Sequence, residues 1–393
     1  MRPPLIALLA AAVAALVTGA ALGAREPEPA TPARDGATRG DPAPARAGDA
    51  GGRPQRAGAA DAARRTAERL PLGELAGAVV LMRFTGTPEP AYVRGALRAG
   101  RAAGVILFRD NTGTLAATRA LTRRLQDAAR VRPVLISTDQ EGGPIRNLAW
   151  APPSNAASSI TTRAGAAAAS RAAARGLAAA GVNVNLAPVA DLSGPGPVMR
   201  ARAFPGGPAH VARLTAAAVR AYAASGVAPT VKHFPGLGSA TANTDDTSVI
   251  IDRGARAIGA TDLPPFRAAI AAGAPIVMLS HARYPSLDPA AIASQSRPIV
   301  TDLLKRRLGF TGVAVTDSIE AEAVRATMGP GRAAVRSVRA GVDLVLTTGP
   351  GSHLRVWRAL QRRARADRAF RARLTDAAAR VLALRRSVAG GAG

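Results

Sequence analysis

From Asp61 onward the hydrophobic positions fall into short unbroken apolar runs, separated by longer Ala-rich segments in which apolar residues recur at helical spacing. The runs cover residues 76–84, 104–108, 133–138, 182–189, 227–233, 276–280, 312–316 and 341–346. The intervening segments predict helices over 91–103, 115–129, 163–180, 208–225, 263–272, 300–308 and 320–340, with one or two Arg-rich helices over 354–387. Strands buried on both faces read as continuous apolar runs, so the runs predict a parallel sheet. Strand-then-helix units repeated across residues 61–390 predict an α/β fold, a (β/α)8 TIM-type barrel forming a single domain. An open doubly wound sheet is the alternative, but no Gly-rich dinucleotide fingerprint follows the first run.

The pattern before Asp61 is different. Arg2 is followed by an apolar run over 5–22 and then by small residues, Gly19, Ala20, Ala21, Gly23 and Ala24 among them. Residues 1–24 therefore predict a secretory signal peptide, with an uncleaved N-terminal anchor as the alternative. Residues 25–60, rich in Ala, Pro, Arg, Gly and Asp, have no apolar periodicity and predict a disordered linker. The expected location is secreted or extracytoplasmic, with no stable membrane span once the signal is cleaved.

Composition narrows the chemistry. Cysteine is absent, which removes disulfides, thiolate catalysis and zinc–thiolate sites, and only four His are present, too few to favour a multi-His metal centre. The net charge of +26 is carried by Arg, but aromatic residues make up 3% and no basic module interleaved with aromatics is visible, so no nucleic-acid partner is expected. Lys occurs only at Lys232 and at Lys305, the latter on the expected outer surface of the helix over 300–308, where its loss should cost nothing. A Lys kept at a strand end, where Arg serves everywhere else, points to a compact point-charge donor at 232.

In a barrel, polar residues at strand C-termini converge on one face. Here the third run ends in Thr138-Asp139-Gln140-Glu141-Gly142-Gly143. The fourth leads to Asp191, with Arg202 and Phe204 in the loop beyond. The fifth ends in Lys232-His233, the sixth in Ser280-His281 and the seventh in Thr316-Asp317-Ser318. Any one of these suits a helix cap or turn, and Asp317 could cap a helix starting near Ile319. Five successive strand ends are harder to explain that way. Carboxylates gathered with Lys, His and Arg suit a polyhydroxylated substrate and general acid, base or nucleophile work by Asp.

The motifs Gly104-Val105-Ile106-Leu107-Phe108 with Asn111, Asp139-Gln140-Glu141-Gly142-Gly143, Asn185-Leu186-Ala187-Pro188-Val189-Ala190-Asp191, Arg202-Ala203-Phe204, Lys232-His233-Phe234-Pro235-Gly236, Met278-Leu279-Ser280-His281 and Val315-Thr316-Asp317-Ser318 stand in this order. In them the chain resembles glycoside hydrolase family 3, specifically its secreted bacterial single-barrel β-N-acetylglucosaminidase-like members. The resemblance implies a retaining glycosidase acting on terminal β-glycosides, most of all β-N-acetylglucosaminides from cell-wall material. It places the nucleophile on Asp317 and sugar contacts on Asp139, Arg202, Lys232 and His233, with His281 close by. It implies no metal or organic cofactor, and a monomer is expected. Two departures stand out. Where the N-acetylglucosaminidase branch shows Asp-Ser-His, this chain has Asn243-Thr244-Asp245, so the acid/base role passes to Asp245, with Asp246 as the alternative. The family's Arg after the double Gly is replaced by Pro144. A catalytically silent glycan-binding protein and a β-glucosidase-type specificity are the competing readings.

Overall fold

The computed structural model describes residues 52–389 apart from Arg132, Pro195 and Ala224. The signal-peptide reading and most of the linker reading lie outside these residues. The described chain opens on a helix, Gly52–Arg69, that overlaps the last residues read as linker. Ala63 and Ala67 on this helix pack against Leu374, Ala377 and Ala378 of the final helix, Arg368–Ala389.

Eight parallel strands form the centre: β1 (Val80–Arg83), β2 (Gly104–Leu107), β3 (Leu135–Thr138), β4 (Val184–Asn185), β5 (Ala228–Phe234), β6 (Ile276–Leu279), β7 (Val313–Thr316) and β8 (Val345–Thr347). Each pairs with the next in sequence from β1 to β7, and β8 returns to pair with β1. The ring closes between β7 and β8, where Thr316 N–H donates to Leu344 O at 3.1 Å and Ile319 N–H donates to Leu346 O at 3.1 Å. The predicted (β/α)8 barrel is the observed fold.

The apolar runs are continuous because both faces of each strand are covered. Leu81, Ile106, Leu135, Val184, Ile276, Met278, Val313, Val315 and Leu346 point inward and pack together as the barrel core. Their neighbours Met82, Val105, Leu107 and Ile136 pack outward in one helix-facing cluster, and Val277, Leu279 and Ala314 in another. Gly104 is needed at its position, since a Cβ there would lie 2.0 Å from Leu135 O.

Several boundaries differ from the sequence reading; the segment read as one helix over 320–340 is two, Glu322–Arg325 and Pro330–Ala340, separated ahead of Pro330. The run at 76–84 begins inside a short helix, Leu72–Gly77, and the strand starts only at Val80, because a short apolar stretch has the same signature in either state. The run at 182–189 contains a strand of two residues; Pro188 has no N–H for the ladder, and pairing resumes only as a bridge between Val189 and Lys232. Helix 300–308 is observed as Pro298–Arg307, and its Lys305 is not on the surface. Its side chain is 13% exposed, with Nζ 2.8 Å and 2.7 Å from the two carboxyl oxygens of Asp343, whose side chain is fully buried. Burial, against the pull of Asp343 and with the help of Arg373, brings the Lys305 ammonium down to about 8. Lys232 is therefore a buried point charge and Lys305 a half-buried one, each paired with a carboxylate.

Candidate active site

The C-terminal ends of the strands open into a cavity of about 610 Å³. At its floor four charged side chains lock together. Lys232 Nζ lies 2.6 Å from Asp139 Oδ1 and 2.7 Å from Glu141 Oε1. Arg202 grips the same Glu141 with both arms of its fork, Nε to Oε2 at 2.9 Å and Nη2 to Oε1 at 2.8 Å. Burial alone would raise the Glu141 carboxyl, but Lys232 and then Arg202 outweigh it and hold it at about 2. Lys232 is likewise held above its ordinary range, the cost of burial being overcome by Asp139 and Glu141.

This network also makes a stability statement. The folded Glu141 carboxyl titrates below its unfolded value of 4.5, so its contribution is complete above pH 4.5 and is lost as the pH falls to about 2. Over that window Glu141→Gln is expected to remove about 3 kcal/mol of the pH dependence of unfolding. Paired acid-unfolding curves of wild type and variant check it; parallel curves would contradict it.

His233 follows Lys232 at the end of β5 and is held by Asp191, whose side chain is fully buried. One Asp191 oxygen accepts from His233 N–H at 3.1 Å and lies 2.6 Å from His233 Nδ1; the other accepts from Leu237 N–H at 2.6 Å. The Nδ1 proton is thereby fixed on Asp191, and Nε2 faces the pocket, 3.9 Å from Asp317 Oδ2 and 3.5 Å from Arg202 Nη2. The loops after β4 and β5 touch backbone to backbone: a Cβ at Gly194 would stand 1.7 Å from Gly238 O, and one at Gly238 would stand 2.4 Å from Leu192 O.

Asp317 lies just beyond β7. It caps no helix, since the next helix, Glu322–Arg325, starts five residues on; one carboxyl oxygen accepts from Ser318 N–H at 2.7 Å. Burial would raise this carboxyl, but His233 above all, with Lys232 and the Ser318 amide, keeps it below the ordinary value. His281, expected close by the sugar contacts, is not among the residues that line the cavity. It is 1% exposed, and both ring nitrogens are engaged: Nδ1 lies 2.7 Å from Ser294 Oγ and Nε2 lies 2.9 Å from Ser318 O. A carbonyl only accepts, so Nε2 carries the proton and Nδ1 takes the Ser294 hydroxyl; burial, the larger effect, disfavours the charged ring. His281 thus supports the backbone that carries Asp317.

Asp245 lines the cavity and Asp246 does not. Asp245 stands at the mouth with its outer side open to solvent. Its loop is docked onto the loop of Asp317, with Glu322 N–H donating to Asp245 O and Ala323 N–H to Thr244 O, both at 3.1 Å. Asn243 holds it from the other side: Asn243 Oδ1 accepts from Asp245 N–H at 3.2 Å, and Asn243 Nδ2 donates to Asp245 Oδ2 at 3.3 Å. Desolvation, and then the negative charge of Asp317, raise the Asp245 carboxyl above its ordinary value. Two carboxyl groups in one pocket are thus pushed apart, one toward the anion and one toward the acid.

The structure brings Asp139, Arg202, Lys232, His233, Asp245 and Asp317 into one cavity and leaves His281 behind its wall. Sequence reasoning passed over the first, second and eighth strand ends. Arg83 closes β1, Arg109 follows β2 and Thr348 follows β8, and all three line the cavity together with Arg146 and Glu320. Their signal was the same strand-end position, hidden because Arg is common throughout the chain. Glu141 and Asp191 were named at the third and fourth strand ends but given no role. Among the described residues no group of three or more His, Asp or Glu converges so as to hold a metal ion.

Comparison with known proteins agrees with this architecture. The profile of the glycosyl hydrolase family 3 N terminal domain matches residues 85–384. The chain is 36% identical over 292 residues to an uncharacterized secreted glycosyl hydrolase of Arthroderma benhamiae, covering 71% of this chain and 83% of that one. It is 36% identical over 282 residues to a beta-hexosaminidase of Xanthomonas oryzae pv. oryzae, covering 69% and 84%. Among solved structures, a family 3 beta-N-acetylglucosaminidase from a Paenibacillus species superposes with a TM-score of 0.79 at 32% identity, over 82% of this chain and 64% of that enzyme, so this chain spans just under two thirds of its length. A beta-N-acetylhexosaminidase from Beutenbergia cavernae superposes with a TM-score of 0.73 at 34% identity, over 81% of this chain and 99% of that one. A charged, strand-end cavity on a closed β/α barrel, with this profile and these relatives, leaves one assignment: the chain belongs to glycosyl hydrolase family 3.

Proposed function

We propose that this glycosidase hydrolyses terminal β-glycosides, foremost β-N-acetylglucosaminides of cell-wall material, with retention of configuration. Asp317 attacks the anomeric carbon and forms a covalent glycosyl-enzyme. Asp245 protonates the departing oxygen, then takes the proton of the incoming water. Asp139, Arg202, Lys232 and His233 hold the terminal sugar and tighten on the oxocarbenium-like transition state. The observation that carries this reading is the opposed charge preference of Asp317 and Asp245 across one cavity. The names of the Xanthomonas, Paenibacillus and Beutenbergia relatives support the N-acetylhexosaminide as substrate. The N-terminal signal reading and the secreted Arthroderma relative support action outside the cytoplasm, by a barrel that follows a signal and a linker. The reading is tested by turnover of a panel of aryl β-glycosides. Release from the N-acetylglucosaminide above the glucoside supports it. Preference for the glucoside transfers the specificity, and no release from any member refutes hydrolysis.

The two lysines separate the site from the scaffold. Lys232→Ala removes a charged donor from the floor and leaves Asp139 and Glu141 short of a partner. It is expected to lower kcat/KM by the equivalent of about 2–4 kcal/mol. Lys305→Ala, read from sequence as a silent surface change, is instead expected to cost stability, roughly 1–3 kcal/mol, because Asp343 loses one of its charged donors while keeping Arg373. Its kcat/KM should be unchanged. Denaturant titration and steady-state kinetics on the two variants check both statements, and equal losses of kcat/KM would contradict them.

A further inference from the structure

Five carboxyl groups and five Lys or Arg cations line the cavity, and they do not cancel locally. Lys232 and Arg202 are spent on Asp139 and Glu141 at the floor. Asp317 and Asp245 face the reacting bond. Glu320 is turned toward β8, where Oε2 accepts from Thr348 N–H at 2.7 Å, and its Oε1 is buried without a partner. Arg83, Arg109 and Arg146 remain, all on the sector of β1, β2 and β3. Among the described residues neither Arg109 nor Arg146 forms an ion pair. Arg83 reaches Asp110 at 3.4 Å and lies over the Phe108 ring at 4.6 Å, and its Nε is buried without a partner.

This wall is built and held. Arg109 Nε donates to Arg146 O at 3.1 Å and its Nη2 donates to Pro144 O at 3.3 Å, while Thr112 Oγ1 donates to Asn147 O at 2.7 Å. These bonds tie the loop after β2 to the hairpin after β3 and orient the Arg109 guanidinium, while the Arg146 guanidinium donates through Nη2 to Ala149 O, so both are placed before any ligand arrives. Arg on a convex helix face is ordinarily a solvated charge. Here the three line a concave cavity, above the floor that grips the terminal sugar and across from the docked loops of Asp245 and Asp317.

We infer that Arg83, Arg109 and Arg146 form a subsite for an anionic group, a carboxylate or a phosphate monoester, on the aglycone of the substrate. A guanidinium fork can bind the two oxygens of a carboxylate or two of the terminal oxygens of a phosphate, and a partly enclosed cavity strengthens that match over open solvent. A neutral aglycone would leave the Arg109 and Arg146 charges without a counterpart and Arg83 with Asp110 alone. The inference rests on the glycosidase reading above, because it takes the floor for the terminal sugar and the wall for what leaves.

The test uses the full chain carrying Asp317→Asn, which binds without turnover. Three forms of the disaccharide N,N′-diacetylchitobiose are titrated calorimetrically: the reducing-end alditol, the aldonic acid and the alditol phosphate. An anionic form is expected to bind about tenfold more tightly than the alditol at low salt, with the advantage shrinking as salt rises. The tighter of the two anions identifies which group the wall takes. In Arg146→Gln, which keeps the backbone carbonyl that Arg109 uses, and in Arg109→Gln, the ratio of anionic to neutral affinity is expected to fall toward one. Equal binding of all three forms overturns the inference, as does an anion preference that survives both substitutions. Wild-type turnover of neutral aryl β-glycosides tells the failures apart. Turnover without anion preference removes only the subsite, and absence of turnover on every member removes the glycosidase reading with it.

Discussion

Asp317→Ala is expected to abolish hydrolysis of every glycoside the wild type accepts, with kcat falling on the order of 10⁴- to 10⁶-fold, the scale seen when a covalent nucleophile is removed. The expectation comes from the surroundings of the carboxyl. It stands just past β7, its backbone is pinned where His281 donates to Ser318 O at 2.9 Å, and His233 with Lys232 favours its ionised form. A nucleophile must be an anion when the sugar arrives, and a carboxyl held below its ordinary value meets that requirement. A mechanism-based fluorosugar should label a single peptide containing Asp317, and the product should keep the anomeric configuration of the substrate. Labelling at another residue, or an inverted product, would falsify the assignment.

Asp245→Ala is expected to give a two-part signature. Natural glycosides have poor leaving groups that need a proton, so their hydrolysis should fall by about 10²- to 10⁴-fold. Aryl glycosides with good leaving groups should still form the glycosyl-enzyme, which then accumulates because no base activates water. Added azide should restore turnover and yield a glycosyl azide of retained configuration, since a small anion needs no general base. The pH profile carries the same information with a definite sign. Desolvation and the Asp317 charge raise the Asp245 carboxyl, and the acid must be protonated to act, so wild-type kcat/KM should fall as the pH rises through that raised value. In Asp245→Ala that alkaline limb should vanish for activated substrates. Azide rescue in Asp246→Ala, but not in Asp245→Ala, would assign the role to the neighbour despite its place outside the cavity wall.

Much of this architecture is legible in the chain alone. The apolar runs locate all eight strands, because a strand covered on both faces has no polar side to interrupt it. Polar residues at strand ends pick out Asp139, Arg202, Lys232, His233 and Asp317, because a barrel forces those ends onto one face. The choice of Asp245 over Asp246 came from position in a motif, and the structure places Asp245 in the cavity wall. The arginine wall was not legible. In a chain with this much Arg, nothing local separates Arg83, Arg109 and Arg146 from arginines on outer helix faces.

Local period and chain order are enough for the number of strands, their alternation with helices, the closed barrel and the set of residues at strand ends. Everything that depends on distance between segments far apart in the chain needed the folded protein. Only the closed barrel shows that Glu141 is gripped from both sides by Lys232 and Arg202, and that Asp191 holds both His233 and the Leu237 amide. It also moves His281 from the sugar to the backbone of Ser318, and Lys305 from the surface to a buried carboxylate. The physical reason is common to these cases. Burial and charge pairing are set by neighbours brought together through closure of the ring, and no window of sequence contains both partners.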